Sequence, residues 1–534
     1  MPGDGEARAP APSAAEPGGP PGAARDGSGE PGPATPARST TGVQAGATPV
    51  REPAPQPLYL AEGLVDGKLQ LMRGEEVVLE LPSLVPSDGG NRTRAELIAG
   101  PEFALILQHR WTQPEPPHYD AGWNGAVRRA LLVRRSDLQL LWEQRSGPLA
   151  IDSSAFLGTD GLALLHEVDS VTRAERTVII ATDGAEQAID GIAALSPPDA
   201  DGWFAARTPA EGPAFAPSYG FARAGTSALR PLSDPLLEPA ADAPAFYRDP
   251  VVEPDASFGY LSAGAAGQIS LVHEHPEAIE RIELGSPERG PARVMRGHDS
   301  WLVSEPGTAV GSELPWVIVG PDHQPTPVAE LPADVRGVER AGADWFALRA
   351  GVDWEFAGWL DAATARFQPM PAPPAGMRFF STESCDSTRQ IFADGSVLIG
   401  LRDDRRGGLF LYDGAGFDQI GSEIRAANLV AGSRTGETFT LQALDAFPLY
   451  YACGTATWEP GDRADGPPLS AGQAEFVRGD HTLRVESGVA APELDPSGRY
   501  AVIPRGDAGA FAVHDLDLGI EYALPPQARV AGWL

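Results

Sequence analysis

The chain predicts an all-β protein: a single β-propeller of seven or eight four-stranded blades behind a disordered N-terminal tail. Three observations point there. A short phrase recurs, in which an acidic or glycine turn precedes a burst of aromatic and aliphatic residues. Its copies begin near residues 102, 160, 201, 257, 299, 344, 394, 436 and 497. The intervals of about 40–60 residues match the period of a four-stranded propeller blade. Finally, no long segment shows the 3.6-residue apolar period of an amphipathic helix.

Residues 1–57 are rich in alanine, glycine and proline, and no Leu, Ile, Phe, Tyr or Trp precedes Leu58. Nothing there offsets an ordering cost of about 1–2 kcal/mol per residue, so a flexible tether is expected. The segment 58–534 is expected to be the propeller. It opens with a hairpin, Lys68–Met72 and Glu76–Leu81, around Arg73-Gly74-Glu75. Strands are expected at Phe103–Gln108, Leu131–Arg134, Leu138–Glu143, Leu162–His166 and Thr177–Ala181. The alanine-rich stretch 191–195 suits a helical turn, and 208–256 reads as a proline-rich insertion. The clearest unit lies at 393–420, where Ser396–Arg402, Leu409–Tyr412 and Phe417–Ile420 alternate with polar turns. Asp-Gly pairs such as Asp413-Gly414 suit hairpin turns because both residues tolerate positive φ. The C-terminal unit offers Arg499–Ile503, Phe511–His514 and Ile520–Leu524. The N-terminal strands are expected to supply its missing fourth and so clasp the ring.

The phrase Leu494-Asp495-Pro496-Ser497-Gly498-Arg499-Tyr500-Ala501-Val502 resembles a blade phrase of TolB-like bacterial β-propellers, part of the wider WD40-like superfamily. Ala393-Asp394-Gly395-Ser396-Val397-Leu398 is a shorter echo. The regular Gly-His to Trp-Asp spacing of true WD40 repeats is missing. The resemblance implies a disc with a central channel and loop-built binding faces, and no particular reaction.

Formal net charge is −32, which disfavours nucleic acid and anionic lipid as partners. No run of about 18 apolar residues is present, so no transmembrane segment is expected. The N-terminus lacks the basic start and apolar run of a signal peptide. A low-complexity tail of this kind nevertheless suits an exported protein whose signal precedes or was trimmed from this sequence. A periplasmic or cell-surface location is then expected, and a cytoplasmic one otherwise. A monomer is expected. Cys385 and Cys453 form one disulfide if the protein is exported, and are two separate thiols if not.

No G-x-S-x-G elbow exists for a serine hydrolase. His273-Glu274-His275 places two imidazoles on one strand face but brings no third metal ligand, so no metal is expected. Asp199-Ala200-Asp201-Gly202 and Asp515-Leu516-Asp517 are incomplete calcium loops and read as turns. The pairs Trp203-Phe204 and Trp345-Phe346 read as core between blades. The long segment 111–125 carries Trp111, His118, Tyr119 and Trp123, rigid contact groups for a protein, peptide or carbohydrate ligand. The expected function is therefore non-enzymatic binding or scaffolding, with no cofactor and no catalytic residue assigned. The alternative is a lyase or glycosidase acting on carbohydrate at the channel mouth, which requires carboxylates converging on one face.

Overall fold

In the computed structural model every regular element among the described residues is a strand. The structure describes residues 55–534 apart from 83–91, 112–126, 146–154, 169–171, 173, 210–216, 238–249, 264–267, 286–292, 305–315, 329–330, 333–334, 341–344, 351–354, 380–389, 393–395, 404, 426–428, 445–468, 470–472, 480, 487–492 and 506–509. Gln56–Leu534 forms one compact unit. Among the described residues no helix is long and apolar enough to cross a membrane.

Among the described residues the strands make ten antiparallel sheets, nine of four strands and one of five. Blade 2 sets the pattern: Arg92–Ala99, Phe103–Trp111, Val127–Arg134 and Gln139–Arg145 follow one another across the sheet. Seven or eight blades were expected, and the ring has ten. Each of the nine phrases leads into the second strand of a blade, among them Phe103–Trp111, Trp203–Arg207, Trp345–Ala350 and Tyr500–Arg505. The tenth blade joins the chain ends and carries no such phrase. Turns of one or two glycines make compact blades possible: blade 3 runs from Ala155 to Asp190. Dividing the length by the longer intervals therefore undercounts.

The clasp exists, with its direction reversed. The C-terminal blade already owns a first strand, the two-residue Glu493–Leu494. The last strand, Ala528–Trp533, instead pairs with Leu58–Gly63 and becomes the first strand of blade 1. Ala193–Ala194, in the stretch suited to a helical turn, is the first strand of blade 4. Within 208–256, Tyr219–Arg223 and Arg230–Pro231 are the third and fourth strands of blade 4, and Val251–Val252 is the first of blade 5. Cys385 and Cys453 lie outside the described residues.

Neighbouring blades share apolar seams all the way round. Leu60 and Leu71 meet Ile106 and Leu131 between blades 1 and 2. Ala205 and Phe221 meet Phe258 and Tyr260 between blades 4 and 5. Tyr59 and Val530 meet Tyr500 and Val513 where blade 10 returns to blade 1. Each fully buried side chain of this size contributes about 1.5–3 kcal/mol, which is why one blade needs its neighbours. Phe204 and Phe346 are completely buried in such seams, as expected. Trp203 is only half-buried, with Arg223 and Arg230 each 5.4 Å from its ring centre.

The two edges of each sheet differ. Fourth strands such as Arg366–Pro369 and His481–Glu486 are largely exposed. First strands are often two or three residues long, and those of adjacent blades touch, as Ala528–Trp533 and Arg92–Ala99 do. The first strands therefore line the axis and the fourth strands form the rim.

The phrase itself is punctuation. Asp199 Oδ1 accepts hydrogen bonds from the amides of Asp201 (2.9 Å) and Trp203 (2.8 Å). Asp495 closes the corresponding turn with Ser497 and Tyr500. Gly202 sits at φ 77° and Gly498 at φ 73°, where a side chain is strained. A Cβ on Gly498 would lie 1.9 Å from the Thr435 carbonyl oxygen of blade 9.

Candidate binding face

Antiparallel order gives the ring two unlike ends. One end carries the turns between first and second strands and between third and fourth. Most of these are short and several are pinned by Asp side chains, such as Asp160 to Leu162 N and Asp183 to Ala185 N; in blade 8, by contrast, 380–396 separates Arg378–Phe379 from Val397–Arg402. The other end carries the connections between second and third strands. They include 112–126 in blade 2, 305–316 in blade 6 and 445–472 in blade 9. This loop end is the candidate binding face.

Where the second and third strands of blade 2 reach this end, the described residues hold a buried polar network. It spans the clasp and the seam between blades 1 and 2. Glu62, at the loop side of its strand, is fully buried. Its Oε2 accepts from Ala95 N (2.7 Å) and from Arg529 Nη2 (2.7 Å) and Nε (3.2 Å). Gln108 Nε2 donates to Glu62 Oε1 (3.4 Å) and to the Gly67 carbonyl (2.7 Å). Gln108 stands directly opposite Arg129 on the neighbouring strand. Arg129, fully buried, donates to Gln108 Oε1 (3.3 Å), to Glu143 Oε1 (3.4 Å) and to the Pro82 carbonyl. Charges this deep persist only when paired and hydrogen-bonded. The network therefore fixes the two strands from which the connection springs. Toward the axis, Glu493 of blade 10 lies near Arg529 and Arg94. Desolvation pushes its carboxyl up, against the pull of those two arginines.

The same end holds two lesser networks. His166 Nε2 lies 3.2 Å from Glu175 Oε2, which also pairs with Arg207 at 3.4 Å between blades 3 and 4. The buried Glu475 accepts from Ser422 N (2.9 Å) and Oγ (2.7 Å) and pairs with Arg484 at 3.2 Å.

Of the residues expected to bind ligand, Trp111 closes the second strand of blade 2, in register with Arg92. His118, Tyr119 and Trp123 lie outside the described residues. Glu62, Gln108, Arg129 and Arg529 were not singled out from sequence. One signal was available: a polar residue follows the apolar run near the loop-side end of several second strands, at Glu62, Gln108, His166 and Gln442. Elsewhere, His273 packs against Trp301 with ring centres 5.4 Å apart, its Nε2 3.0 Å from Ser257 Oγ. Glu274 faces the other way and accepts from Tyr260 Oη (2.6 Å) and Ser233 Oγ (2.7 Å). His275 lies 3.7 Å from Asp199, and the described residues hold no group of three metal-ligating side chains.

No protein-family model matches the chain, and no curated protein matches it. Among solved structures, a dihydro-heme d1 dehydrogenase, NirN, superposes with a TM-score of 0.30 at 11% identity. The match covers 91% of this chain and 77% of that one. The β-propeller domain of the Trilobed protease from Pyrococcus furiosus gives 0.28 at 10% identity, over 66% and 90%. An acylaminoacyl peptidase gives 0.29 at 10% identity, over 79% and 57%. None of the three bears on what this chain binds.

Proposed function

We propose that the protein is a non-enzymatic binding or scaffolding propeller whose ligand, a protein, peptide or carbohydrate, docks on the loop end over blades 1 and 2. The observation that supports this reading is the asymmetry of the ring. Most turns at one end are short and locally closed, blade 8 apart, while the aromatic-rich 112–126 connection leaves the other end from a rigid, ion-paired base. Rigid scaffold below and variable connection above is the usual division of labour in recognition. Trp111, His118, Tyr119 and Trp123 are the proposed contact residues. The protein works outside the cytoplasm, with 1–57 as its tether and Cys385–Cys453 as a disulfide. Tyr119→Ala/Trp123→Ala is the test. The variant should melt like the parent and lose the glycan or peptide that the parent selects from defined arrays. A large fall in melting temperature would assign both rings to the core and remove the proposal's basis.

A further inference from the structure

A cavity of about 430 Å³ opens between blades 4 and 5 at the turn end of the ring. That volume falls within the span of small-molecule sites, about 300–1,000 Å³. One wall is the short fourth strand of blade 4 and the residues after it, 230–233. The other is the hairpin between the third and fourth strands of blade 5, residues 274–279.

Charge is divided between these walls. The blade 4 wall carries Arg230, and the blade 5 wall carries Glu274 and Glu277. Arg230 is held in place: its Nη1 donates to the Pro276 carbonyl across the cavity. Its guanidinium lies 4.8 Å from the ring centre of Phe221 and 5.4 Å from that of Trp203. Among the described residues no carboxylate forms an ion pair with it. Glu274 is fully buried, and its donors are neutral: Ser233 N (3.0 Å), Ser233 Oγ (2.7 Å) and Tyr260 Oη (2.6 Å). No described cation pairs with Glu274 or with the exposed Glu277. A buried charge without a counter-charge is costly. A guanidinium and two carboxylates thus line one cavity without meeting.

That arrangement selects the charge of an occupant. A lone anion would face two acids, and a lone cation would face Arg230. A ligand carrying both charges satisfies both walls when it lies across the seam, its carboxylate on the guanidinium fork. Leu232, Pro276 and Ile279 supply apolar lining for a side chain.

We propose that this cavity binds a free amino acid or dipeptide with apolar side chains, its carboxylate on Arg230 and its ammonium toward Glu274 and Glu277. The site is independent of the loop reading, because none of its residues lies in 111–126.

The test is calorimetric titration of the full chain with leucine and with leucyl-leucine. The parent should bind at least one of them, and the tighter probe distinguishes amino acid from dipeptide. The acetylated form of that probe lacks the ammonium, and its amide lacks the carboxylate. Each should bind at least about 10-fold more weakly, from one lost charge-assisted contact. Arg230→Gln should weaken the tighter probe by a similar factor, and Glu277→Gln by about threefold, since solvent screens its charge. Arg73→Gln, exposed on blade 1, should leave binding unchanged. Where Arg230→Gln melts below the parent, Arg230→Lys and the two blocked probes decide: the lysine variant should retain more affinity than the glutamine one. Failure of the parent to bind either probe, blocked forms that bind as tightly as the free one, or equal loss in Arg230→Gln and Arg73→Gln overturns the proposal.

Discussion

Replacing Arg529 with Met tests the clasp at its most buried point. The change keeps the apolar stem and removes only the guanidinium. Glu62 is then left fully buried with Ala95 N at 2.7 Å and Gln108 at 3.4 Å as its remaining donors. Breaking a buried ion pair on one side costs about 3–5 kcal/mol. The Arg529 side chain is 33% exposed, so water screens part of the lost attraction and the lower end, about 3 kcal/mol, applies. Unfolding the unit Gln56–Leu534 at roughly 2.1 cal/mol/K per residue carries an entropy of about 1 kcal/mol/K. The melting temperature should therefore fall by only about 3 °C. Urea unfolding is the sharper assay, with an expected midpoint shift of about 0.5–1 M. Glu62→Gln on top of Arg529→Met should restore part of the loss, because it removes the orphaned charge and keeps an acceptor for Ala95 N. The reasoning is refuted if Arg529→Met matches Arg366→Met, an exposed rim control, or if Glu62→Gln adds to the loss.

Ending the chain before Ala528 should abolish cooperative unfolding, since it strips the first strand from blade 1 and bares a sheet edge; gel filtration of the truncated chain reads this as aggregation. Gly259→Ala should cost at least about 1–3 kcal/mol in urea unfolding, because the new Cβ would lie 2.0 Å from the buried Trp301 ring. Stability should fall as pH drops through about 6.5, the ordinary histidine value. Burial, with Arg296 close by and opposed by Asp255, holds the His273 pKa below that value, so the unfolded chain takes up the proton first. His514, lowered by burial, adds to the same slope, and His273→Gln/His514→Gln should flatten it between pH 7.5 and 5.5. At lower pH Glu253 and Glu493, both raised by desolvation, act in the opposite direction, since the folded protein holds their protons more tightly.

The sequence states the fold more fully than a count of seven or eight blades does. Nine phrases and one phrase-less pair of termini make ten blades, and glycine marks several of the phrase turns, as Gly498 does at φ 73° with the Thr435 carbonyl beside it. What stays hidden is partnership across the chain ends. Arg529 and Glu62 are 467 residues apart, and nothing local to either announces the other. Two-residue first strands such as Glu493–Leu494 and Ala193–Ala194 leave no periodic trace, so the clasp's donor reads backwards from sequence alone.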